Sequence, residues 1–367
     1  MVGIDVSSLV GRESMTTYWL MLLVPMFAGL SPWKAKGALP RVQWLLYGLF
    51  LVVIIGLRHE VGGDWSNYIE NYAHLQGTIF SDLITPESIS NDFGFVVIHW
   101  VSLNYLNGIY TTNLICAAIF IAGLLRICKN MPVPWLSLSI AIPYLVIVVA
   151  MGYTRQAAAI GFVMWGLIDL LNGRGVRFYG MILLGTLFHK TALFMLPVGF
   201  LYGNSIRNLR DLLFFIALFF IAFIALLAER IAHLVHYYIT DTQGMESSGA
   251  FIRVMMNVVS ALVFLYFRKK WETRYSDTGL WVIFCVISLI MLPLTFIIST
   301  TIDRMALYFI PMQLVILSRA PLLITSTYNR TLFVLSVLFF YIATMFVWLN
   351  FGSYAWAWLP YKNILFR

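Results

Sequence analysis

Charge is scarce in this chain: Asp, Glu, Lys and Arg make up 11% of its 367 residues, against 61% hydrophobic. Soluble globular domains are about a quarter charged, so an ordinary cytoplasmic enzyme is excluded. Cysteine is equally sparse. Cys116, Cys128 and Cys285 each lie in an apolar run, which argues against a disulfide framework or cysteine metal site and leaves them as packing residues. His233 and His236 are three apart with no third ligand in sequence reach, so no metal is expected. GxSxG, P-loop and dinucleotide-binding patterns are missing, and no cofactor is expected. The start, MVGIDVSSLVGRES, lacks the basic stretch and small-residue cleavage site of a signal peptide. The formal net charge of +8 does not call for nucleic acid, because cationic loops also hold a membrane protein in its orientation.

What the sequence has instead is long hydrophobic runs, at roughly 15–30, 42–57, 109–127, 134–150, 155–171, 211–228, 250–267, 278–298, 304–318 and 331–348. About 20 apolar residues cross a bilayer as a helix. The expectation is therefore an all-α polytopic integral membrane protein with about ten full spans, folded as a single transmembrane catalytic domain over 1–367. Lys and Arg concentrate in the short loops 31–41, 126–133, 172–177, 204–210, 268–277 and 319–330, which places those loops in the cytosol. Both termini and the longer stretches 58–108 and 229–249 then lie outside. Keeping this parity requires two irregular segments. Segment 93–107, in the string DFGFVVIHWVSLNYL that starts at Asp92, is read as a peripheral helix at the outer face, and 178–203 as a broken helix pair with His189-Lys190 near its outer apex. A single long tilted helix with a buried His is the alternative for 178–203.

This arrangement gathers the isolated polar residues on one face. Arg58 ends an apolar run, Asp64 follows six residues later and Tyr68 four after that, one helical turn from Asp64. Trp65 and Tyr72 add ring faces suited to sugars, or to the aromatic belt of a membrane protein. Arg155-Gln156 opens a span, where an Arg needs a polar interior or an anion, with Thr154 and the free N–H groups of the helix end beside it. Asp92 stands at a helix start, where capping would explain it. Asp303-Arg304 reads as an ion pair anchoring a loop, or Arg304 as a phosphate donor. Ionisable groups in apolar sequence, as at His189-Lys190, mark functional sites. Four cations, Arg58, Arg155, Lys190 and Arg304, at the lip of an apolar bundle suit a diphosphate whose tail lies in lipid. His189, Asp64 and Asp92 are the candidate bases.

The strings GLRHEVGGDWSNY (56–68), NDFGF (91–95), TRQAAAIGF (154–162) and GTLFHKTALFMLP (185–197), in this order and spacing, resemble the EpsG/Wzy-like family of bacterial polysaccharide polymerases. The resemblance covers about residues 45–200. It implies a GT-C-like fold and a metal-independent glycosyltransferase that joins undecaprenyl-diphosphate-linked oligosaccharide repeats at the outer face of the cytoplasmic (inner) membrane. Arg58, Asp64, Arg155-Gln156 and His189 match the family's pattern. Gly62-Gly63 replaces its usual Gly-Thr, and Asp92 its usual Glu. The implied partners are a lipid-linked glycan donor and acceptor and membrane lipid, with a chain-length regulator and a flippase as candidate protein partners. An O-antigen ligase, a membrane acyltransferase and a lipid-linked glycan transporter are the competing functions.

Overall fold

The computed structural model describes residues 6–30, 38–84, 92–203, 213, 217 and 249–366, with side chains left aside for 6–14, 30, 38–41, 72 and 73. Apart from 213, 217 and 249, the expected run at 211–228 and the loop 229–249 lie outside the described residues. Among the described residues the chain is all helical apart from one isolated antiparallel bridge, Arg58 with Asn363. In chain order the helices are α1 (Val6–Leu30), α2 (Ala38–Gly56), α3 (Trp65–Leu75), α4 (Phe93–Tyr105), α5 (Ile109–Lys129) and α6 (Pro134–Ala141), which continues into a π-helix, Ile142–Ala150. There follow α7 (Thr154–Leu171), α8 (Gly175–Thr186), α9 (Leu196–Gly203), α10 (Ala250–Glu272), α11 (Thr278–Leu294), α12 (Ser299–Ala306), α13 (Pro311–Arg319) and α14 (Thr327–Phe351).

The protein is membrane-embedded, but the expectation of about ten full spans is not met. Among the described residues, three helices are long and apolar enough to cross a membrane: α5, α10 and α14. A fourth crossing requires counting Ser299–Phe309 with Pro311–Leu323, a pair bent by 45°. Two other runs stay apolar while their helices stop early. Pro134–Ala150 and Thr278–Leu294 are 17 residues long. At 1.5 Å per residue these reach about 25 Å, short of a hydrocarbon core about 30 Å thick. The run 304–318 is interrupted at Pro311, whose ring cannot continue the helix before it. In α7, Arg155, Gln156 and Asp169 offset the apolar residues over its 18 positions.

Helix α8 ends at Thr186, and the chain resumes as a 3₁₀ turn, Lys190–Met195, leading directly into α9. His189 stands between them in extended conformation (φ −158°, ψ 114°).

Two packing devices place the functional residues. The α5–α7 contact is glycine on glycine. A Cβ on Gly123 would fall 2.0 Å from the Gly161 carbonyl, and one on Gly161 would fall 2.7 Å from that of Ile119. Small residues of this kind are what let membrane helices approach backbone to backbone. Between α10, α13 and α14 a buried polar chain is closed: Asn257 Nδ2 donates to the Ala306 carbonyl, Gln313 Nε2 to Asn257 Oδ1 at 2.7 Å, and Tyr341 Oη to Gln313 Oε1. Paired with one another in this way, these polar groups specify how the bent segment docks.

At the end of α7 away from Arg155, Asp169 pairs with Arg126 at 2.6 Å and Arg174 at 3.6 Å. Asp277 pairs with Arg319, whose guanidinium lies over the Tyr275 ring.

Replacing Gly161 by Val should force α7 off α5. Overpacking of this type costs about 1–3 kcal/mol, so a fall in Tm of the detergent-purified protein is expected, larger than for Gly180→Val, since nothing lies within 4 Å of a Cβ at Gly180.

Candidate functional site

The site forms where three chain reversals meet: the turn 57–64, the start of α7, and the break at 187–189. Arg58 holds the first two together. Its side chain is 1% exposed. Nε donates to the Val61 carbonyl, Nη1 to that of Ile55, and Nη2 to Thr154 Oγ1 at 2.6 Å. Thr154 in turn donates toward Asn113 Oδ1 at 3.4 Å. Arg58 and Thr154 are thus taken up by the protein itself.

Gly62 adopts φ +109°, and a Cβ there would sit 2.1 Å from the Met151 carbonyl. This position needs glycine on both counts. The turn is capped from the far end of the chain. Gly62 N donates to the Ala357 carbonyl, Trp358 Nε1 to the Ile147 carbonyl in the π-helix, and Ile364 N to that of Leu57.

Asp64 and Tyr68 meet as their spacing suggests, with Tyr68 Oη donating to Asp64 Oδ2 at 3.3 Å. Tyr68 is buried between Phe95, 5.5 Å away between ring centres, and the Arg155 guanidinium, 6.0 Å from its own. It therefore has no face open to a sugar. The Tyr72 side chain lies outside the described residues. Burial pushes the Asp64 carboxyl above its usual range, an effect only partly offset by Arg155 and Arg304.

Asp92 does not cap α4. It takes a left-handed backbone (φ 60°), and its carboxylate makes no cap hydrogen bond. Oδ2 instead accepts from Arg155 Nη1 at 3.1 Å and Oδ1 from the Lys190 backbone N–H at 3.0 Å. The contact is reciprocal, because Gly94 N, in the first turn of α4, donates to the Leu187 carbonyl at 2.8 Å. A Cβ on Gly94 would press into Leu187 at 2.8 Å. Asp92 thus locks α4 and the start of α7 onto the helix break.

His189 is 8% exposed; its Nδ1 shares a hydrogen bond with Thr191 Oγ1, which reaches Tyr308 Oη at 3.0 Å. Its Nε2 makes no hydrogen bond among the described residues. Arg155, Arg304 and Lys190 are the charges that act on it. Gln156 is buried and donates to the Arg304 carbonyl at 2.6 Å, so it holds α12 in place. Arg304 itself is exposed, and its guanidinium has no partner among the described residues.

Asp303 pairs with Arg253 of α10 rather than with its neighbour Arg304. Consecutive residues on a helix point about 100° apart, so an adjacent pair faces different surroundings. Of the expected residues, Asp64, Tyr68, Asp92, Arg155, His189 and Lys190 are brought together, with Arg304 beside them. Arg58 and Gln156 form their frame.

The sequence reading passed over Asn113, Thr191, Tyr308, Arg253 and the segment 352–366. Tyr308 follows Arg304 by four residues, a helical spacing that could have suggested it. Three of the missed groups act only through partners distant in sequence.

The EpsG family model matches residues 41–363. The chain belongs to the EpsG family. The match runs through the turn 57–64, the start of α4, the Arg155-Gln156 helix start, the break at His189 and the C-terminal clasp, so the whole site lies inside it. No curated protein and no solved structure matches this EpsG-family chain. Membership implies, at a general level, glycan polymerase activity on lipid-linked glycans. Among the described residues, no three His, Cys, Asp or Glu side chains cluster closely enough to hold a metal ion.

Asp92→Asn should leave the Lys190 N–H an acceptor while removing the counter-charge of Arg155. Charged hydrogen bonds contribute about 1.5–3 kcal/mol. With Arg155 one-third exposed, roughly 1 kcal/mol is expected after solvent screening, read as a Tm decrease that Arg155→Ala in the same chain does not deepen additively.

Proposed function

We propose that this protein joins undecaprenyl-diphosphate-linked oligosaccharide repeats at the outer face of the bacterial cytoplasmic membrane, with the turn 57–64 and the break at His189 facing outward. The observation that carries the reading is the exposed Arg304, whose guanidinium makes no hydrogen bond or ion pair among the described residues, acting with Arg155 on Asp64 and Asp92 at the mouth of an apolar bundle. A lipid diphosphate needs that combination: cations at the rim for its oxygens, and apolar surface below for its tail.

In the reaction, a hydroxyl at the non-reducing end of the acceptor repeat attacks the anomeric carbon of the donor. The bond from that carbon to the diphosphate oxygen breaks, and undecaprenyl diphosphate leaves with the electron pair. Arg304 and Arg155 stabilise the charge that develops on it, and Lys190 adds a point charge. Arg58, with its donors facing inward, contributes by fixing the start of α7 under Arg155. Gln156 does the same for Arg304 through that residue's carbonyl.

The attacking hydroxyl gives its proton to a base. Asp92 is poorly suited, since both its oxygens are engaged. His189 offers Nε2. Asp64 is favoured, because its single hydrogen bond is long and burial makes it a better proton acceptor than an ordinary carboxylate. The sign follows directly. A raised pKa keeps Asp64 protonated to higher pH, so turnover should rise with pH through a value above the usual carboxylate pKa of about 4.

Purified protein given lipid-linked repeat alone should make a polymer ladder. A ligase would need a second acceptor, and a transporter would make none. Arg304→Ala and Arg155→Ala should each cut the yield at least tenfold at equal expression. Asp64→Asn should slow single turnover by about 10²-fold or more while lipid-linked substrate still binds. His189→Ala should slow it less and leave the acid limb of the pH profile in place. The reverse ranking would move the base to His189.

Orientation has its own test. A cysteine at position 70 should label from outside intact cells and one at position 270 should not; both positions are exposed, and the three native cysteines are buried.

A further inference from the structure

Next in sequence to Asp64 of the charged centre, Trp65 lines an open cleft of about 700 Å³, together with residues of the turn 57–64, α3 and the start of α5. Its walls are aromatic. His59 and Tyr110 stack at 6.0 Å with 24° between their planes, Trp65 stands edge-on to His59 at 5.7 Å, and Trp65 lies 6.2 Å from Tyr110. The stack is fixed by a hydrogen bond between His59 Nδ1 and Tyr110 Oη. Around the rings stand Asn107, Glu70 and Glu60, the last paired with Lys362 at 2.7 Å, and among the described residues no Lys or Arg is part of the cleft lining itself. Trp65 and Ser66 are partly or fully exposed, as is Glu70.

We infer that this cleft is a glycan subsite, resting on the polymerase reading above, that holds sugars of the acceptor chain next to the charged centre. Three features select the ligand. Flat rings with polar edges suit the apolar face and hydroxyl rim of a pyranose. The exposed carboxylate of Glu70 and the amide of Asn107 accept and donate hydrogen bonds to hydroxyls, and Glu70 also favours an amine-bearing sugar. With the nearby Lys362 already paired to Glu60, the cleft offers a diphosphate little, so this cleft and the Arg155–Arg304 centre take different parts of the substrate.

The two places are joined by one peptide link, because Asp64 faces Tyr68 and Arg155 while Trp65, the next residue, lines the cleft. Adjacent Cα atoms lie about 3.8 Å apart. A sugar seated against Trp65 and Tyr110 is thereby bound at the residue next to Asp64, the favoured base, and on this proposal its neighbouring sugar reaches over that step. In this arrangement the subsite sets the acceptor's position and contributes to how long a chain is retained, while the bond-making groups stay on the other side of Asp64.

The test is binding without catalysis. Full-length protein in nanodiscs is titrated by calorimetry with the lipid-free oligosaccharide repeat released from the producing cell's own polymer. Saturable binding is expected, weakened at least tenfold by Tyr110→Ala, largely kept by Tyr110→Phe, which retains the ring, and unaffected by excess inorganic pyrophosphate. Melting curves confirm that both variants are folded. Absence of binding, equal binding by a folded Tyr110→Ala protein, or competition by pyrophosphate would overturn the assignment. The ladder assay is read separately. A wild-type protein that binds the oligosaccharide but makes no polymer defeats the polymerase reading alone, and one that polymerises with no effect of Tyr110→Ala on oligosaccharide binding or chain length defeats the subsite alone.

Discussion

The arrangement of this protein's polar end depends on the buried guanidinium of Arg58. A fully desolvated Arg is tolerated only where its donors are satisfied. Here the carbonyls of Ile55 and Val61 and the hydroxyl of Thr154 do that. Each acceptor belongs to a piece of chain with no other reason to stop where it does: the end of α2, the turn after it, and the first residue of α7. Holding those three fixes where Arg155 and Gln156 emerge. The C-terminal segment closes the same knot from the other side, through the Arg58–Asn363 bridge and Trp358 beneath Gly152. A positive charge in the binding face of the sequence is thus, in the fold, the strut behind that face.

Short helices are the other half of the design. A helix that spans a membrane satisfies its own backbone, whereas one that stops short leaves N–H and C=O groups to be met by protein or by a water-filled cavity. The break between α8 and the Lys190 turn shows how they are met. The Leu187 carbonyl takes N–H groups from the start of α4, and the Lys190 N–H goes to Asp92. The polar cluster is therefore made partly of backbone ends, and a bundle of uninterrupted spans would have had none to offer. The overestimate of spans and the existence of the site have one cause, since apolar composition continues through places where the helix does not.

That separation explains what could be read from the residues alone. Local patterns transferred well: the four-residue step from Asp64 to Tyr68 became a hydrogen bond, the polar interruption at His189-Lys190 became a helix break, and Gly62 stands where backbone approaches backbone. Roles set by distant partners did not transfer. Asp92 has the position of a cap but serves Arg155, 63 residues on. Asp303 stands next to Arg304 yet pairs with Arg253. The segment 352–366, apolar and aromatic, carries no residue type that signals function, although it closes over the turn 57–64. Hydropathy measures what surrounds a helix, and these contacts depend on where it ends.

Commitment and freedom are distributed unevenly among the charged groups, and the distribution itself is informative. Arg58, Asp92, Gln156 and Asp303 are buried and Arg253 half-buried, and all five have protein partners. Arg304 is exposed, Arg155 is held by one nitrogen with part of its guanidinium open, and Asp64 has only a long hydrogen bond to Tyr68. A purely structural network would be expected to saturate its strongest donors and acceptors, because unpaired charge near a membrane is expensive. At the rim the groups left with capacity are two guanidinium ions and one carboxylate of raised pKa, the set that the proposed reaction needs for a leaving diphosphate and an incoming hydroxyl, and the frame beneath them is tied through Arg58, Asp92 and Gln156.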